Sequence, residues 1–158
     1  MKAIQKGFSL IELLIVVAII LIIAAIAIPN LLRSRIAANQ ASAVGSCRTI
    51  NTALITYAST FNTGYAATML ALGPGASPPT AALAGLIDSV LAAGNKSGYT
   101  FAYTAGSAVG GRINTYTLNA NPQTVGTTGT NFYFTDETGV IRKSSTGTAS
   151  AASSPVGG

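Results

Sequence analysis

The chain has few of the side chains on which enzymes depend. Among its 158 residues there is no histidine, no tryptophan, a single cysteine and only four carboxylates. Acid–base catalysis, nucleophilic catalysis and metal binding draw mainly on histidine, cysteine and carboxylate groups. We therefore expect no enzymatic activity, no metal and no cofactor. One cysteine also excludes an internal disulfide.

Charged residues are scarce as well, at 8% of the chain. Two of the few carboxylates, Asp136 and Glu137, are neighbours in a predicted turn, and too few further oxygen ligands surround them for a calcium site. Beyond residue 35, five basic residues face three acidic ones, a balance of only +2. No specific nucleic-acid partner is expected from so small an excess. Low charge suits a protein whose surface is mostly hidden in an assembly or is neutral and rich in hydroxyl groups.

The chain is rich, by contrast, in apolar residues close to its start. From Phe8 to Ile28 there are 21 residues, of which only Ser9 and Glu12 are polar. About 20 apolar residues suffice for a helix to cross a bilayer, and a carboxylate within such a helix is costly. A secretory signal peptide lacks a good cleavage site here. A plain membrane anchor gives no reason for Glu12.

The residues around the apolar run indicate a third interpretation. The run begins within Lys6-Gly7-Phe8-Ser9-Leu10-Ile11-Glu12, and after it come Pro29 and Asn30-Leu31-Leu32-Arg33-Ser34-Arg35. This pattern strongly resembles the class III signal peptide and stem of the type IV pilin family. The resemblance implies that a prepilin peptidase cuts between Gly7 and Phe8. It also implies that the new amine of Phe8 is methylated and that the stem stays in the mature protein.

Physical reasoning agrees with these roles. Gly7 has no side chain to hinder entry of the backbone into a protease. Cleavage leaves a cation on Phe8, at the positive end of a helix. Glu12 lies one helical turn further on and can pair with its own amine or with that of a neighbouring copy. Because an unpaired carboxylate in an apolar fibre core is costly, this pairing favours self-assembly in a defined register.

Pro29 is the one helix-disrupting residue of the stem. It lacks an N–H, and its ring clashes with the carbonyl four residues earlier. The sequence leaves two interpretations open, the end of the membrane helix or a kink that acts as a weak point during packing. The resemblance favours the kink.

After Arg35 the helical pattern becomes amphipathic. Apolar side chains recur at three- or four-residue spacing, at Val44, Cys47, Ile50, Leu54, Tyr57 and Phe61. The opposite, exposed face is predicted to hold Asn39, Ser42, Ser46, Arg48, Asn51 and Thr52. Cys47 lies on the apolar face, so we expect a buried small hydrophobe and not a reactive thiol.

The following segment predicts a small α/β head. A helix capped by Thr80 and stopped at Gly94-Asn95 is expected first. Four strands are predicted next, at residues 99–103, 113–118, 132–134 and 140–142. Residues 136–139 should form a hairpin turn. The Ser-, Thr-, Ala- and Gly-rich end is interpreted as a mobile tail or as an arm laid on a neighbour.

These features together predict an α+β protein in which a long N-terminal helix packs against a small antiparallel sheet, similar to pilins in its order of elements. The expected parts are a cleaved leader, a transmembrane or fibre-core stem, an amphipathic half of the stem helix, a globular head and a tail. Their bounds are 1–7, 8–35, 36–63, 64–143 and 144–158.

The resemblance also implies a function. The protein is expected to be the major subunit of a type IV pilus, polymerising through its stem into a surface fibre for adhesion, twitching motility or DNA uptake. Its partners would be other copies of itself, the prepilin peptidase, and the pilus assembly machinery with minor pilins. It would lie in the inner membrane before assembly and on the extracellular surface afterwards.

Two other functions stay open at this point. A pseudopilin of a type II secretion system shares the stem, but major pseudopilins typically carry a C-terminal acidic, calcium-binding loop that this sequence lacks. A membrane-anchored binding module would never polymerise and would not need Glu12. Electron conduction along stacked aromatics is disfavoured, because the stem has no aromatic residue between Phe8 and Tyr57.

Overall fold

The structure, a computed structural model, describes residues 7–75 and 77–157, so most of the expected leader lies outside the described residues. The chain divides into two units, with the division between Arg35 and Ile36. The long helix α1 begins at Leu10 and ends at Phe61. Together with an antiparallel sheet in the second unit, it confirms the predicted α+β class.

The first unit consists chiefly of the first half of α1. All its large apolar side chains from Phe8 to Leu32 are exposed within the chain. The helix is long and apolar enough to cross a membrane, with a mean hydropathy of 3.3 in its most apolar 18-residue window. The helix continues through Pro29, so that residue does not end it. The kink at Pro29 stays a prediction.

The second unit is built on a six-stranded antiparallel sheet. The strands are β1 (Asn95–Lys96), β2 (Tyr99–Ala105), β5 (Tyr116–Pro122), β6 (Phe132–Asp136), β7 (Arg142–Ser144) and β8 (Ser154–Pro155), and they pair in that spatial order. Strands β3 (Ala108–Val109) and β4 (Arg112–Ile113) form a separate hairpin. Two short helices complete the unit, a 3-10 helix at Met69–Leu72 and α2 at Ser89–Ala92.

The core of the second unit lies between α1 and one face of the sheet. The predicted apolar face of the helix is confirmed, since Cys47, Ile50, Leu54 and Tyr57 are buried and Val44 and Phe61 are partly buried. Alternate residues of β5 point toward the same core, because successive side chains of a strand face opposite sides. They include Tyr116 and Leu118, both buried.

The predicted exposed face of α1 was wrong at two positions, Ser46 and Asn51, which are buried. Asn51 is buried because the sheet provides hydrogen-bond partners for its amide. Its Nδ2 donates to Oγ1 of Thr135 on β6 at 3.0 Å, and its Oδ1 accepts from the hydroxyl of Tyr116 on β5 at 3.0 Å. We call these three residues the Asn51 cluster. Satisfied polar groups of this kind can be buried at little cost.

The predicted helix from Thr80 to Leu91 was also wrong, except for its last turn. Thr80 and Leu83 close a tight turn through two backbone hydrogen bonds of 3.1 Å. The next residues bond to the 3-10 helix instead of to each other, as Ala84 N does to Ala71 O at 2.8 Å. The cap of α2 is Asp88, whose Oδ1 accepts from Leu91 N at 2.9 Å. Asp88 also pairs with Lys96 at 2.8 Å, which lowers the pKa of the Asp88 carboxyl.

Two of the four predicted strands are confirmed, as β2 and β6, and the hairpin turn after β6 is confirmed by the bond from Gly139 N to Asp136 O at 2.9 Å. The other two are shifted. The chain first makes the β3–β4 hairpin around Gly110-Gly111, both with positive φ, so β5 begins only at Tyr116. Strand β7 begins at Arg142, after the turn has ended.

As far as residue 157, the end of the chain folds back onto the sheet of its own chain, and its mobility and its contact with a neighbour stay predictions. Strand β8 pairs with β7 of the same chain, and Val156 N donates to Ile141 O at 2.8 Å. This pairing could not be predicted from the sequence, because the segment has no apolar periodicity. The side chain of Ala149 in this segment is buried.

The Asn51 cluster leads to a first prediction. Asn51→Ala leaves the hydroxyls of Tyr116 and Thr135 buried without their partner, and each unsatisfied group costs about 1–3 kcal/mol. The free energy of unfolding should fall by about that amount or more, as measured by urea titration of the full chain in detergent. The control is Thr52→Ala at the exposed neighbouring position, which should change it by less than about 0.5 kcal/mol. Equal effects of both substitutions would contradict the role given to the cluster.

A second prediction concerns Cys47, which burial keeps protonated by raising its pKa from 9.0 to about 12. Because the unfolded thiol ionises at lower pH, the folded state should lose stability as the pH rises from about 9 to 12. Iodoacetamide at pH 8 should leave Cys47 unmodified in the folded chain and alkylate it in urea, as measured by intact mass. In a Cys47→Ala background, Thr49→Cys provides an exposed control that should react in the folded chain. Rapid alkylation of native Cys47 would show that the thiol is accessible.

Candidate processing and assembly site

The start of α1 is fixed by two side chains that cap the helix. Glu12 Oε2 accepts a hydrogen bond from Ser9 N at 2.8 Å, and Ile11 N donates to Ser9 Oγ at 3.4 Å. The spacing Ser-x-x-Glu is that of a capping box, although here Ser9 Oγ accepts from Ile11, one residue before Glu12. It explains why the helix begins at Leu10 and not at Phe8, where the sequence analysis placed it. The Ser9-to-Glu12 spacing was visible in the sequence and could have predicted the cap.

The cap shows that the Glu12 carboxylate has a hydrogen-bond partner within its own chain. From the sequence, the carboxylate was expected to be unpaired until an amine is supplied, but one of its oxygens already has a backbone partner within the chain. The other oxygen, Oε1, accepts no hydrogen bond from any residue that the structure describes. Glu12 can therefore cap its own helix and still accept a second, charged donor.

Gly7 and Phe8 precede the helix and are exposed. A side chain added at Gly7 would meet no atom within 4 Å, and the Phe8 side chain is 74% exposed. The peptide bond between them thus lies in non-helical, accessible backbone, which is the conformation a protease needs. Cleavage at this bond stays a prediction, as do the roles of Phe8 and Glu12 in assembly.

The stem that follows presents apolar side chains on all sides. Leu10, Leu21 and Leu31 are each more than 60% exposed, and no polar stripe interrupts the surface between Leu13 and Ile28. A helix that is hydrophobic all round requires an apolar surrounding, either lipid or other helices. Within the residues of the first unit that the structure describes, nothing covers this surface.

One of the two neighbouring carboxylates of the head, Asp136, has a structural role. Asp136 Oδ1 accepts from Thr138 N at 3.0 Å and so holds the turn between β6 and β7. In the described residues, no group of three or more His, Cys, Asp or Glu side chains is placed to hold a metal ion.

Comparison with known proteins places these features in a class. Residues 2–28 match the family model described as the prokaryotic N-terminal methylation motif. The matched residues include the peptide bond between Gly7 and Phe8 and the apolar run of the stem as far as Ile28.

The N-terminal part of the chain is similar to two proteins of type IV pili. Over 46 residues the chain is 63% identical to the type IV major fimbrial protein FimA of Dichelobacter nodosus, which covers 29% of each chain. Over 35 residues it is 69% identical to the type IV wide pilus major component PilA4 of Thermus thermophilus, which covers 22% of this chain and 27% of that protein. The similarity thus spans less than a third of each relative. No solved structure matches the chain significantly.

These matches cover only the N-terminal part of the chain. Together with the long N-terminal helix and the antiparallel sheet, they support a relationship of that part to type IV pilins.

Proposed function

We propose that this protein is the major subunit of a type IV pilus. In this proposal it is cut between Gly7 and Phe8 and methylated on Phe8. It is held in the inner membrane by its stem and assembled into a surface fibre for adhesion, twitching motility or DNA uptake. The observation that carries the proposal is the continuous helix α1, whose large apolar side chains are exposed from Leu10 to Leu32.

The stem needs an apolar surrounding both before and after assembly. Apolar surface is stabilised by about 25 cal/mol for each Å² removed from water, and lipid satisfies this need before assembly. Stems of other copies satisfy it afterwards. Lipid tails are as apolar as the side chains, so the transfer between the two surroundings yields little net hydrophobic free energy. Polar interactions between stems must then decide the register in which they pack.

Glu12 is the one carboxylate able to supply such an interaction within the stem. Before cleavage its Oε2 accepts from the neutral backbone N–H of Ser9. Cleavage after Gly7 adds a positively charged amine at Phe8. Charge-assisted hydrogen bonds are roughly twice as strong as neutral ones, so an amine of the same or a neighbouring copy is a better partner. Only one axial offset between stems brings the amine and the carboxylate together.

The first test is the chemical state of the protein in sheared fibres. Fibres sheared from native cells should contain this chain as an abundant component that begins with methylated Phe8, as measured by intact mass and N-terminal sequencing. The same processed chain confined to membrane or periplasm would indicate the pseudopilin of a type II secretion system. An unprocessed chain without fibres would exclude assembly and leave a membrane anchor.

A further prediction separates the capping of Glu12 from its charge. Glu12→Gln retains the capping box, in which glutamine also serves, but removes the charge. We expect the chain to stay in the membrane while the yield of sheared fibres falls roughly tenfold or more, as a loss of about 1.4 kcal/mol per contact would produce. Immunoblots of the sheared and cell-associated fractions measure this ratio.

The matched control is Glu137→Gln, which removes an exposed carboxylate from the turn after β6. It should leave the fibre yield unchanged. Normal fibres from Glu12→Gln would show that Glu12 acts only as a helix cap.

A further inference from the structure

The six-stranded sheet ends at both edges in a strand of two residues, β1 on one side and β8 on the other. An open strand edge presents unpaired N–H and C=O groups to which another chain can add. Short edge strands, charged side chains and proline are the usual means by which this pairing is prevented. Both edges of this sheet show such features.

At the first edge, the protective residue is Lys96 on β1. Its ammonium group lies 2.8 Å from Asp88 Oδ2, beside the strand. Asn95, the other residue of β1, accepts bonds through its side chain from Thr100 and Gln123. Polar and charged side chains therefore occupy the whole of this short edge.

At the second edge, β7 is covered by the end of the chain. Residues 145–157 form what we call the C-terminal strap. The strap is held by the pairing of Lys143 with Ser154, and Arg142 Nη1 donates to the backbone oxygen of Ser153 at 3.0 Å. The side chain of Val156 packs against the core. Without the strap, β7 would itself be the open edge.

Pro155 lies in β8, the outermost strand at this edge of the sheet. Val156 N donates to Ile141 O at 2.8 Å, directly beside the pair formed by Arg142 and Pro155. In an antiparallel ladder, hydrogen-bonded pairs alternate with pairs whose backbone groups point away from each other, and a bond at this position makes Arg142 and Pro155 a pair of the second kind. The backbone nitrogen of Pro155 therefore faces the open edge, and it has no hydrogen to donate.

We propose that the C-terminal strap is an autoinhibitory cover, and that Pro155 keeps the sheet from pairing edge to edge with the sheet of a second copy of this chain. The strap covers the open edge of β7. Within β8, Pro155 is the residue whose backbone nitrogen faces outward, and this nitrogen has no hydrogen to donate to another strand. This role does not depend on the proposed function.

The salt dependence of association should show whether β7 is the strand through which two copies pair. If β7 strands of two copies paired antiparallel, Arg142 of one could lie opposite Lys143 of the other, and like charges in that position are destabilising. The screening length falls from about 10 Å at 0.1 M salt to about 3 Å at 1 M. Association through an uncovered β7 should therefore increase with salt.

Two variants of the full chain test the proposal, both purified in detergent and studied by sedimentation velocity at 0.1 M and 1 M NaCl. Pro155→Val restores an outward N–H and favours the strand. Deletion of residues 154–158 uncovers β7. We expect both to form larger species than the parent chain, and the deletion to do so more strongly at 1 M salt. The matched control is Pro74→Val, at an exposed proline outside any strand, which should sediment like the parent.

Hydrogen exchange of residues 141–144 distinguishes failed folding from pairing. In Pro155→Val these amides should stay as protected as in the parent, which shows that the strap is in place while the chain associates. The proposal is overturned if Pro155→Val, with this protection retained, sediments like the parent. It is equally overturned if Pro74→Val associates to the same extent, because association would then not arise at the edge.

Discussion

One helix has to be stable in two surroundings, and this constraint shapes the whole chain. Over residues 10–32 α1 is apolar on every side and exposes those side chains, whereas from residue 43 to 57 it buries only one face against the sheet. The helix itself needs no change to serve both, because its backbone hydrogen bonds are satisfied internally. The difference lies entirely in the side chains. A continuous apolar surface suits lipid or other stems, and a single apolar face suits a folded head.

No disulfide holds the head together. Its few buried polar contacts therefore have to define how the helix is aligned on the sheet. An apolar interface alone tolerates small shifts of a helix along a sheet. The Asn51 cluster does not, because a shift by one residue would leave an amide and two hydroxyls buried without partners. Bonds from Asn39 to Thr128 O at 2.9 Å and from Gln40 to Thr130 at 2.8 Å extend this polar attachment toward the start of the second unit. Packing supplies the stability, and these bonds define one alignment.

The parts of the fold that the sequence predicted are those with a periodic pattern. The apolar face of α1 repeats every three or four residues, β2 alternates with period two, and both were found where expected. Asn51 was misplaced because residue type predicts exposure, whereas its burial depends on partners 65 and 84 residues away. The burial of Ser46 has no such partner to explain it among the described residues. The failed helix after Thr80 had the right apolar spacing, but its backbone found better partners in the 3-10 helix. The pairing of the strap with β7 could not be predicted from a segment with no repeating apolar positions.

At the candidate site, the motif identified Gly7, Phe8 and Glu12. The bond from Ser9 N to Glu12 is part of a helix cap, and the spacing of these two residues would have been needed to predict it.

The single, buried cysteine has a consequence for where the protein can mature. Because no disulfide closes the head, its stability does not depend on the redox potential of the compartment in which it folds. The thiol of Cys47 is completely buried and uncharged, and oxidation requires an accessible thiolate. Oxidants outside the cell would therefore leave the folded head intact, and reductants would have no bond to break.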